Sequence, residues 1–529
     1  RVGTMDSDML WTAVGGAAAL LAVYTGFFAL VWTKPVWSPP AGLRRVASRI
    51  RLPAYEGLPE SVMVTGGCGF LGRHIVEALA ASGVSFIVVF DLAPRDVSHV
   101  AWIADLNKAT PGTKVEFVAG DLKDPESVRA ALKGVKAVVH CASPHPQLAS
   151  DAVLEAVIVD GTRELLTVCA DEGVKSFVLT SSASVVFSGT DQPGADETVP
   201  IPSTFRDFYS VCKAQAEKIV CAAGSSPSAR VLTAAVRPHG IFGPRDTQAV
   251  PGICEVSSTW RGKLVLGDGN NMVDFTYVGN VVHGHILALQ RLHAEATSGK
   301  PGGKDGSRIS GKAFFVTNDE PLPFWSFVAR VKAAMRYPAA SVRIPYRLAH
   351  GIATLQEAVA GIVASMRGTK PTPLHLSPQR VAIAGTAHWY KCDRAKAALG
   401  YSPVWNMDQA LALTAMSYPS LVYSGPGAVR SPIEQVDEEC RPCDLPQMAF
   451  SRAEVAQHNT DGDAWLIVDG KVHDVTYFVD THPGGPDAVL RNAGKDASEG
   501  FHGDQHPENV VETLADLRIG WVEDEDKSG

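Results

Sequence analysis

The hydrophobic pattern begins with a run of 24 residues, 9–32, that contains no charged side chain. A helix rises about 1.5 Å per residue, so a run of this length can cross a hydrocarbon layer of about 30 Å. The run exceeds the roughly 7–15 apolar residues of a signal peptide, and no small-residue cleavage site follows it. We therefore predict a transmembrane anchor; a signal peptide and a buried core helix are the alternatives.

Charged residues flank this run unequally. Asp6 and Asp8 precede it, whereas five basic residues follow it, at Lys34, Arg44, Arg45, Arg49 and Arg51. Cytoplasmic flanks of membrane spans carry the excess of lysine and arginine. The pattern therefore predicts a single pass, with the rest of the chain in the cytosol.

After the predicted anchor, short apolar runs alternate with stretches that have the apolar periodicity of a helix. Residues 61–65 and 86–90 are predicted as strands, with a helix at 73–81 between them, which opens a βαβ unit. Further strand-like runs follow at 115–119, 137–141, 176–180 and 233–237. This alternation predicts an α/β fold of the Rossmann type, a doubly wound parallel sheet with a smaller substrate lobe.

A second apolar stretch, residues 344–366, contains several polar residues and is too polar to span a membrane. We expect it to rest on the membrane surface, to line a cleft or to form a core helix of the smaller lobe. Residues 424–447 are rich in Gly, Pro and acidic side chains without periodicity, and we predict a linker there. The chain then divides into the anchor, a folded domain at 59–423, this linker and a last domain at 448–523.

The net charge and the cysteine content argue against some classes of function. The net charge is −8 and no basic face stands out, which argues against a nucleic-acid partner. The nine cysteines are an odd number and thinly spread, which favours a reducing compartment. Cys440 and Cys443 form a lone CxxC pair, and zinc binding would require a second pair that the sequence does not offer.

Residues 65–72 read TGGCGFLG directly after the first predicted strand. Gly66, Gly69 and Gly72 occupy the three fingerprint positions of a strand-to-helix turn. A side chain at these positions would keep a pyrophosphate away from the helix N-terminus. The loop therefore predicts a dinucleotide site.

Two aspartates extend this predicted site. Asp91 ends the next strand and is placed to bind a ribose diol, which favours NAD, although Arg95 leaves NADP open. Asp121 lies just past a later strand, at the same carboxyl edge of the predicted sheet. We expect it either to accept a hydrogen bond from the adenine amino group or to cap a turn.

Tyr209 and Lys213 form a YxxxK pattern, which on a helix places both side chains on one face. The pattern lies downstream of a strand that ends next to Ser182. We predict that the Lys213 charge lowers the pKa of the phenol from about 10, so that Tyr209 can act as a base toward a substrate hydroxyl. Ser182 is predicted to hydrogen-bond the same oxygen. The alternative is a buried tyrosine beside a solvated lysine.

These residues resemble the extended short-chain dehydrogenases over residues 58–418. The segment RPHGIFGP at 237–244 is similar to that family's RPxxIYGP. Residues 267–285, GDGNNMVDFTYVGNVVHGH, are similar to the 3β-hydroxysteroid dehydrogenase branch, and within it the chain resembles the decarboxylating sterol-4α-carboxylate 3-dehydrogenases. Ile158 departs from the asparagine that extended members often carry, which puts a local backbone or water contact in doubt.

The resemblance implies NAD-dependent oxidation of the 3β-hydroxyl of a 4α-carboxysterol, with Ser182, Tyr209 and Lys213 as the catalytic set. Tyr209 and Lys213 are also expected to contact the cofactor. The ketone formed is β to the carboxylate on carbon 4, so carbon dioxide can leave without a metal. One alternative is a 3β-hydroxysteroid dehydrogenase/isomerase that releases no carbon dioxide. Another is an electron-carrier scaffold with an inactive dehydrogenase domain, against which the intact catalytic set counts.

His482, within an HPGG sequence, and His506 are 24 residues apart, a spacing that suits two axial ligands of one haem iron. The segments AWLIVDGKVHDVT at 464–476 and AGKDA at 493–497 resemble cytochrome b5, and this resemblance implies an α+β fold for the last domain. That resemblance implies haem b with two histidine ligands and one-electron transfer; two unliganded turn histidines are the alternative. It also implies a cytochrome b5 reductase and a sterol methyl oxidase as partners at the endoplasmic reticulum membrane.

Overall fold

The computed structural model describes residues 52–53, 55–92, 98–146, 148–226, 228–367, 377–425, 428–429, 448–460, 463–475, 479, 485–502 and 518–522. The chain divides into two compact units, Arg1–Val436 and Asp437–Gly529. The predicted anchor at 9–32, Cys440 and Cys443 lie outside the described residues. Within the described ranges, no helix is long and apolar enough to cross a bilayer.

The strands of the first unit are short and mostly apolar. In chain order they are β1 Ser61–Thr65, β2 Phe86–Asp91, β3 Lys114–Ala119, β4 Ala137–His140, β5 Ser176–Thr180, β6 Gln192–Ala195, β7 Leu232–Pro238, β8 Ile241–Phe242, β9 Leu264–Leu266, β10 Met272–Val273, β11 Thr276–Tyr277, β12 Lys312–Val316, β13 Leu322–Pro323, β14 Val342–Ile344 and β15 His388–Tyr390. Seven of them form a parallel sheet in the order β12-β7-β5-β4-β1-β2-β3. The direction of winding reverses between β1 and β4, which is where such sheets bind ligands at their carboxyl edge. The predicted Rossmann-type sheet is confirmed.

Helices connect these strands. They are α1 Phe70–Ala81, α2 Ser98–Ala109, α3 Pro125–Ala131, α4 Asp151–Leu154, α5 Gly161–Asp171, α6 Phe208–Ser225, α7 Ala249–Ser257, α8 Val278–Ser298, α9 Phe324–Ala334, α10 Tyr346–Arg367, α11 Pro378–Gly385 and α12 Met407–Met416. A π-helical turn at Glu155–Asp160 joins α4 to α5. Helix α1 begins three residues before the predicted start at 73, because Gly69 rather than Gly72 is its N-cap.

Side chains that alternate along each strand point to opposite faces of the sheet. Val62 and Val64 of β1 lie in one buried cluster with Ile75 and Leu79, which are one turn apart on α1. Met63, between the two valines, lies in a second cluster on the other face. Helices therefore cover the sheet on both faces, and its strands are nearly continuous apolar runs for that reason.

Small sheets form the second lobe of this unit. One has the order β13-β10-β15-β6, and two pairs, β11-β8 and β14-β9, complete it. Helices α10 and α11 follow β14 in the chain. The apolar stretch predicted at 344–366 is thus a short strand end followed by a long helix.

The second unit is smaller. Its strands are β16 Met448–Phe450, β17 Asn459–Thr460, β18 Asp463–Val468, β19 Lys471–Asp474 and β20 Arg518–Val522, in the sheet order β16-β20-β19-β18-β17. Its described helices are α13 Arg452–Val455, α14 Pro486–Leu490 and α15 Ser498–Phe501. Leu466, Val479, Val489 and Ala493 lie in one buried cluster between these elements. This α+β arrangement agrees with the predicted class of the last domain.

Candidate active site

The predicted dinucleotide loop joins β1 to α1 at the carboxyl edge of the sheet. Gly66 has a φ of +64°, and a Cβ there would lie 2.7 Å from the Cα of Ala142. Glycine alone accepts this conformation together with so close an approach. The Gly66 amide donates to the Phe90 carbonyl at 2.9 Å. The loop is thus held between β2 and the segment that follows β4.

Helix α1 starts directly on this loop. A Cβ on Gly72 would overlap the carbonyl oxygen of Gly66 and lie 2.8 Å from the Cα of Gly67. Gly69 is the N-cap and supplies no side-chain hydrogen bond to the first turn. An uncapped helix N-terminus presents backbone N–H groups and a positive dipole end to an anion. The loop therefore fits the pyrophosphate of a dinucleotide.

Asp91 lies at the end of β2, beside this loop. Its carboxylate accepts hydrogen bonds from the Cys68 amide at 2.9 Å and from the Leu92 amide at 2.8 Å. Each carboxylate oxygen has two lone pairs, so both can accept a further bond from a ribose diol. Asp91 therefore holds the loop in place, and its contact with a ribose stays a prediction.

Asp121 follows β3, the edge strand. Its carboxylate accepts from the Lys123 amide at 3.0 Å and lies 3.2 Å from the Lys123 ammonium. Of the two roles predicted for Asp121, the structure contains the turn-capping one. Its contact with an adenine stays a prediction.

Helix α6 carries Tyr209 and Lys213 on one face. Asp207 caps the helix, accepting from the Ser210 amide at 2.7 Å and the Ser210 hydroxyl at 2.9 Å. The Lys213 ammonium donates to the Thr180 carbonyl at 3.0 Å, and it lies 5.7 Å from the centroid of the Tyr209 ring. The structure brings phenol and ammonium together at the end of β5, as the pattern predicts. Their catalytic roles stay predictions.

The predicted pKa of the phenol is wrong. Burial and then the Asp207 charge raise the pKa of Tyr209 to about 12, against a lowering by a hydrogen bond with Ser143. Burial also lowers the pKa of Lys213 to about 8. The physical reason is that removing the phenolate from water costs more free energy than the interactions with its neighbours contribute. The Lys213 ammonium is directed to the Thr180 carbonyl instead.

Ser143 is a site residue that the sequence reasoning missed. It comes three residues after the end of β4, and its hydroxyl lies close enough to the Tyr209 phenol to lower the pKa of that phenol. The sequence feature that could have identified Ser143 is its position as a polar residue just past the carboxyl end of a central strand. Ser182, in contrast, caps a short 3₁₀ turn and accepts from the Ser184 amide at 3.2 Å. Its bond to a substrate oxygen stays a prediction.

A buried histidine ties the nucleotide loop to α5. The Thr162 hydroxyl donates to the Ile158 carbonyl at 2.6 Å, so it must accept from Nε2 of His140 at 2.9 Å. Nδ1 of His140 then accepts from the Thr65 hydroxyl at 2.6 Å. Burial and the Lys213 charge lower the pKa of His140 to about 3, which keeps the ring neutral. His140 therefore orients the residue that precedes Gly66.

A buried carboxyl lies in the second lobe of the first unit, between β10 and β11. Asp274 is 1% exposed and accepts from the Tyr390 amide at 2.6 Å. Burial raises its pKa from 3.8 to about 7. Because the folded-state pKa is raised, protonation stabilises the fold at low pH, and that stability is lost as pH rises through about 7.

We therefore expect the stability of Asp274→Asn relative to wild type to be greater at pH 8 than at pH 5. The free energy of unfolding of the variant minus that of wild type should increase by on the order of 3 kcal/mol between the two pH values. Asparagine keeps the acceptor for the Tyr390 amide but cannot ionise. The measurement is the free energy of unfolding of both proteins at each pH, with the exposed Asp393→Asn as control. A difference between variant and wild type that is the same at both pH values would contradict the assigned pKa.

The predicted haem ligands, His482 and His506, lie outside the described residues. Gly485, three residues after the first of them, has a φ of +81° and is the N-cap of α14. Among the residues that the structure does describe, no cluster of three or more His, Cys, Asp or Glu side chains has the arrangement of a metal site.

A model of the 3-beta hydroxysteroid dehydrogenase/isomerase family matches residues 63–346, more than half of the chain. The chain belongs to this family. A model of the cytochrome b5-like heme/steroid binding domain matches residues 451–523. Both predicted resemblances are confirmed, and this 3β-hydroxysteroid dehydrogenase family member carries a fused cytochrome b5-like domain.

Curated relatives match the dehydrogenase part. The mouse protein named sterol-4-alpha-carboxylate 3-dehydrogenase, decarboxylating, is 40% identical over 358 residues, which cover 68% of this chain and 91% of the relative. An Arabidopsis thaliana protein named 3beta-hydroxysteroid-dehydrogenase/decarboxylase isoform 1 is 34% identical over 361 residues, with 68% and 80% covered.

Solved structures agree with the fold. The crystal structure of gox2253 superposes with a TM-score of 0.53 at 23% identity and covers 68% of this chain and 98% of its own. An epimerase from Methanothermobacter thermautotrophicus has a TM-score of 0.50 at 18% identity, with 69% and 93% covered. At these identities the likeness concerns the fold of the family member, not its substrate.

Proposed function

We propose that this chain oxidises the 3β-hydroxyl of a 4α-carboxysterol with NAD and that the product loses carbon dioxide, as a step of sterol biosynthesis. The observation that carries the proposal is the 40% identity to a decarboxylating sterol-4-alpha-carboxylate 3-dehydrogenase over 91% of that relative. The site is consistent with it, since an uncapped helix N-terminus, Asp91, Tyr209 and Lys213 all lie at the carboxyl edge of one sheet.

The chain's own residues have distinct roles in this reaction. NAD, when bound, would accept the hydride from carbon 3. Tyr209 would take the hydroxyl proton in its phenolate form; burial opposes that form, and the positive charge of the bound NAD ring would favour it. Ser143 lies beside the same phenol. Ser182 lies at the carboxyl end of the neighbouring β5 and would donate to the substrate oxygen. Donors at that oxygen would also stabilise the enolate that decarboxylation leaves, because charge develops there.

The deciding assay supplies the purified chain with NAD and a 4α-carboxysterol and measures both NADH and carbon dioxide. We expect the two products in equal amounts, together with a 3-ketosterol that lacks the carboxyl group. NADH without carbon dioxide would favour a dehydrogenase/isomerase that does not decarboxylate. No NADH from any 3β-hydroxysteroid would favour an inactive dehydrogenase domain.

Asp91→Ala should weaken NAD binding by about tenfold and NADP binding much less. The variant removes an acceptor for the ribose diol, but for NADP it also removes repulsion of the 2′-phosphate. The measurement is the Kd of each cofactor by titration. Asp105→Ala is the control, since Asp105 is on α2 with a side chain that is 78% exposed. Equal losses for NAD and NADP would contradict the assigned role of Asp91.

The location and partners belong to the same proposal. The uncharged run at 9–32 and the basic residues after it support a single-pass anchor in the endoplasmic reticulum membrane with the folded units in the cytosol. The cytochrome b5-like domain would bind haem through His482 and His506. A cytochrome b5 reductase would supply its electrons, and a sterol methyl oxidase would receive them.

We expect no direct electron flow from the sterol reaction to the haem. A hydride carries two electrons together, whereas a haem with two histidine ligands accepts one. The measurement adds NAD and sterol to the holoprotein without reductase and follows the haem absorbance. Reduction only after a cytochrome b5 reductase and NADH are added supports the prediction. Haem reduction that keeps pace with sterol oxidation contradicts it.

A further inference from the structure

A buried histidine of α8 contacts the strand that ends beside the catalytic helix α6. His285 is 0% exposed. Its Nδ1 lies 2.8 Å from the Val281 carbonyl oxygen, one turn earlier on α8, and its Nε2 lies 2.9 Å from the Thr180 hydroxyl. A carbonyl oxygen can only accept, so Nδ1 carries the ring proton. Nε2 therefore has the lone pair and accepts from Thr180. Burial lowers the pKa of His285 to about 4, so the ring is neutral.

The Thr180 hydroxyl has a fixed direction. Its single proton is donated to Nε2 of His285. The Cys141 sulfur lies 3.2 Å from the same oxygen, and burial raises the pKa of that thiol to about 11. The thiol is therefore protonated and donates to the Thr180 oxygen. A chain of three hydrogen bonds with a single direction thus runs from Cys141 through Thr180 and His285 to the Val281 carbonyl.

The backbone of Thr180 holds the predicted catalytic lysine. Thr180 is the last residue of β5, and its carbonyl oxygen accepts from the Lys213 ammonium at 3.0 Å. Lys213 is 3% exposed, so water does not surround its charge. The same residue therefore bonds His285 through its side chain and Lys213 through its carbonyl.

The ionisable groups that face Lys213 are His140, Cys141, Tyr209, Cys212 and His285. Burial lowers the pKa values of the two histidines to about 3 and about 4, and it raises those of both thiols to about 11 and that of the phenol to about 12. All five groups are therefore uncharged at pH 7. The Asp207 carboxylate acts on the phenol, but among the described residues no carboxylate acts on Lys213. The position of the ammonium thus depends on the Thr180 carbonyl.

We propose that His285 is a positioning residue: by fixing the Thr180 hydroxyl it fixes the carboxyl end of β5, whose last carbonyl holds Lys213 beside Tyr209. The ammonium then lies where it stabilises the phenolate that takes the substrate proton. His285 exchanges no proton itself and acts only through Thr180. Its effect on turnover rests on the proposed function, whereas its effect on NAD binding does not.

The first test compares His285→Phe with wild type, both as full-length holoprotein, over a range of pH. Phenylalanine keeps a ring of similar size but offers the Thr180 hydroxyl no acceptor. We expect the pH of half-maximal kcat to rise by about one unit, and kcat at neutral pH to fall about tenfold, because a displaced ammonium stabilises the phenolate less. His285→Gln should restore the wild-type profile, since its side-chain oxygen can accept from Thr180.

His283→Phe is the matched control. His283 lies two residues earlier on α8, is 6% exposed and hydrogen-bonds the Tyr55 hydroxyl. The variant removes a buried hydrogen bond of the same kind, but one that is made to Tyr55 and not to β5. We expect its pH profile to match that of wild type. An unshifted profile in His285→Phe, or an equal shift in His283→Phe, would overturn the proposal.

The second test is a double-mutant cycle on the Kd of NAD, which needs no sterol. Lys213 is predicted to contact the cofactor, so His285→Phe should raise this Kd about fivefold, the size of one weakened hydrogen bond. In a Lys213→Met background the same substitution should have no further effect, because it acts through the lysine. Equal effects in both backgrounds would indicate a general disturbance of the fold and overturn the proposal. A wild type that binds NAD but oxidises no carboxysterol would sink only the proposed function, and the cycle would still decide the role of His285.

Discussion

Replacing Tyr209 with phenylalanine should lower the rate of sterol oxidation by about 10²–10⁴-fold, the range expected when a general base is removed. The ring would stay in place beside Lys213, whose ammonium lies 5.7 Å from its centroid. Cofactor affinity should therefore be kept. The measurements are kcat by NADH formation and the Kd of NAD for both proteins.

Tyr390→Phe is the matched control for this variant. The Tyr390 ring stacks on Phe315 at 4.5 Å, and its buried hydroxyl has no hydrogen-bond partner among the described residues. Removing that hydroxyl should leave turnover unchanged. Near-normal turnover in Tyr209→Phe would refute the assignment of Tyr209 as the base, and loss of NAD binding would show that the variant disturbs the fold of the site.

Gly72→Ala should destabilise the first unit by roughly 3 kcal/mol or more and abolish NAD binding at ordinary concentrations. The added methyl would overlap the Gly66 carbonyl oxygen, which is backbone and cannot rotate away. Either α1 shifts or the loop opens, and both changes separate the helix N-terminus from the pyrophosphate. Thermal unfolding and NAD titration measure the two effects.

Gly252→Ala in α7 provides the comparison. A Cβ at Gly252 would meet nothing within 4 Å, and the residue does not have a positive φ. Alanine there should be neutral or stabilise by up to about 1 kcal/mol, because alanine is the better helix former. If Gly72→Ala behaved like this control, the close packing of α1 on the loop would be wrong.

Local patterns along the chain determined the architecture of the dehydrogenase part. Short apolar runs predicted six of the seven strands of the large sheet, all but β12, and the order of strands and helices predicted that the sheet is parallel. The YxxxK spacing alone placed Tyr209 and Lys213 on one helical face. The glycines at 66, 69 and 72 marked the turn between β1 and α1. Such features depend on the periods of helix and strand, which are visible in any linear sequence.

The tertiary structure decided what depends on contact across the fold. Ser143 reaches Tyr209 only because β4 and α6 meet at one edge of the sheet, and burial there raises the pKa of the phenol that the sequence predicted to be lowered. The apolar residues of α10 are exposed because Ala349 and Ala353, not they, pack against the protein. Periodicity specifies which face of an element is apolar, but solvent exclusion and the partners of a polar group are set by elements distant in sequence, and these control charge and exposure.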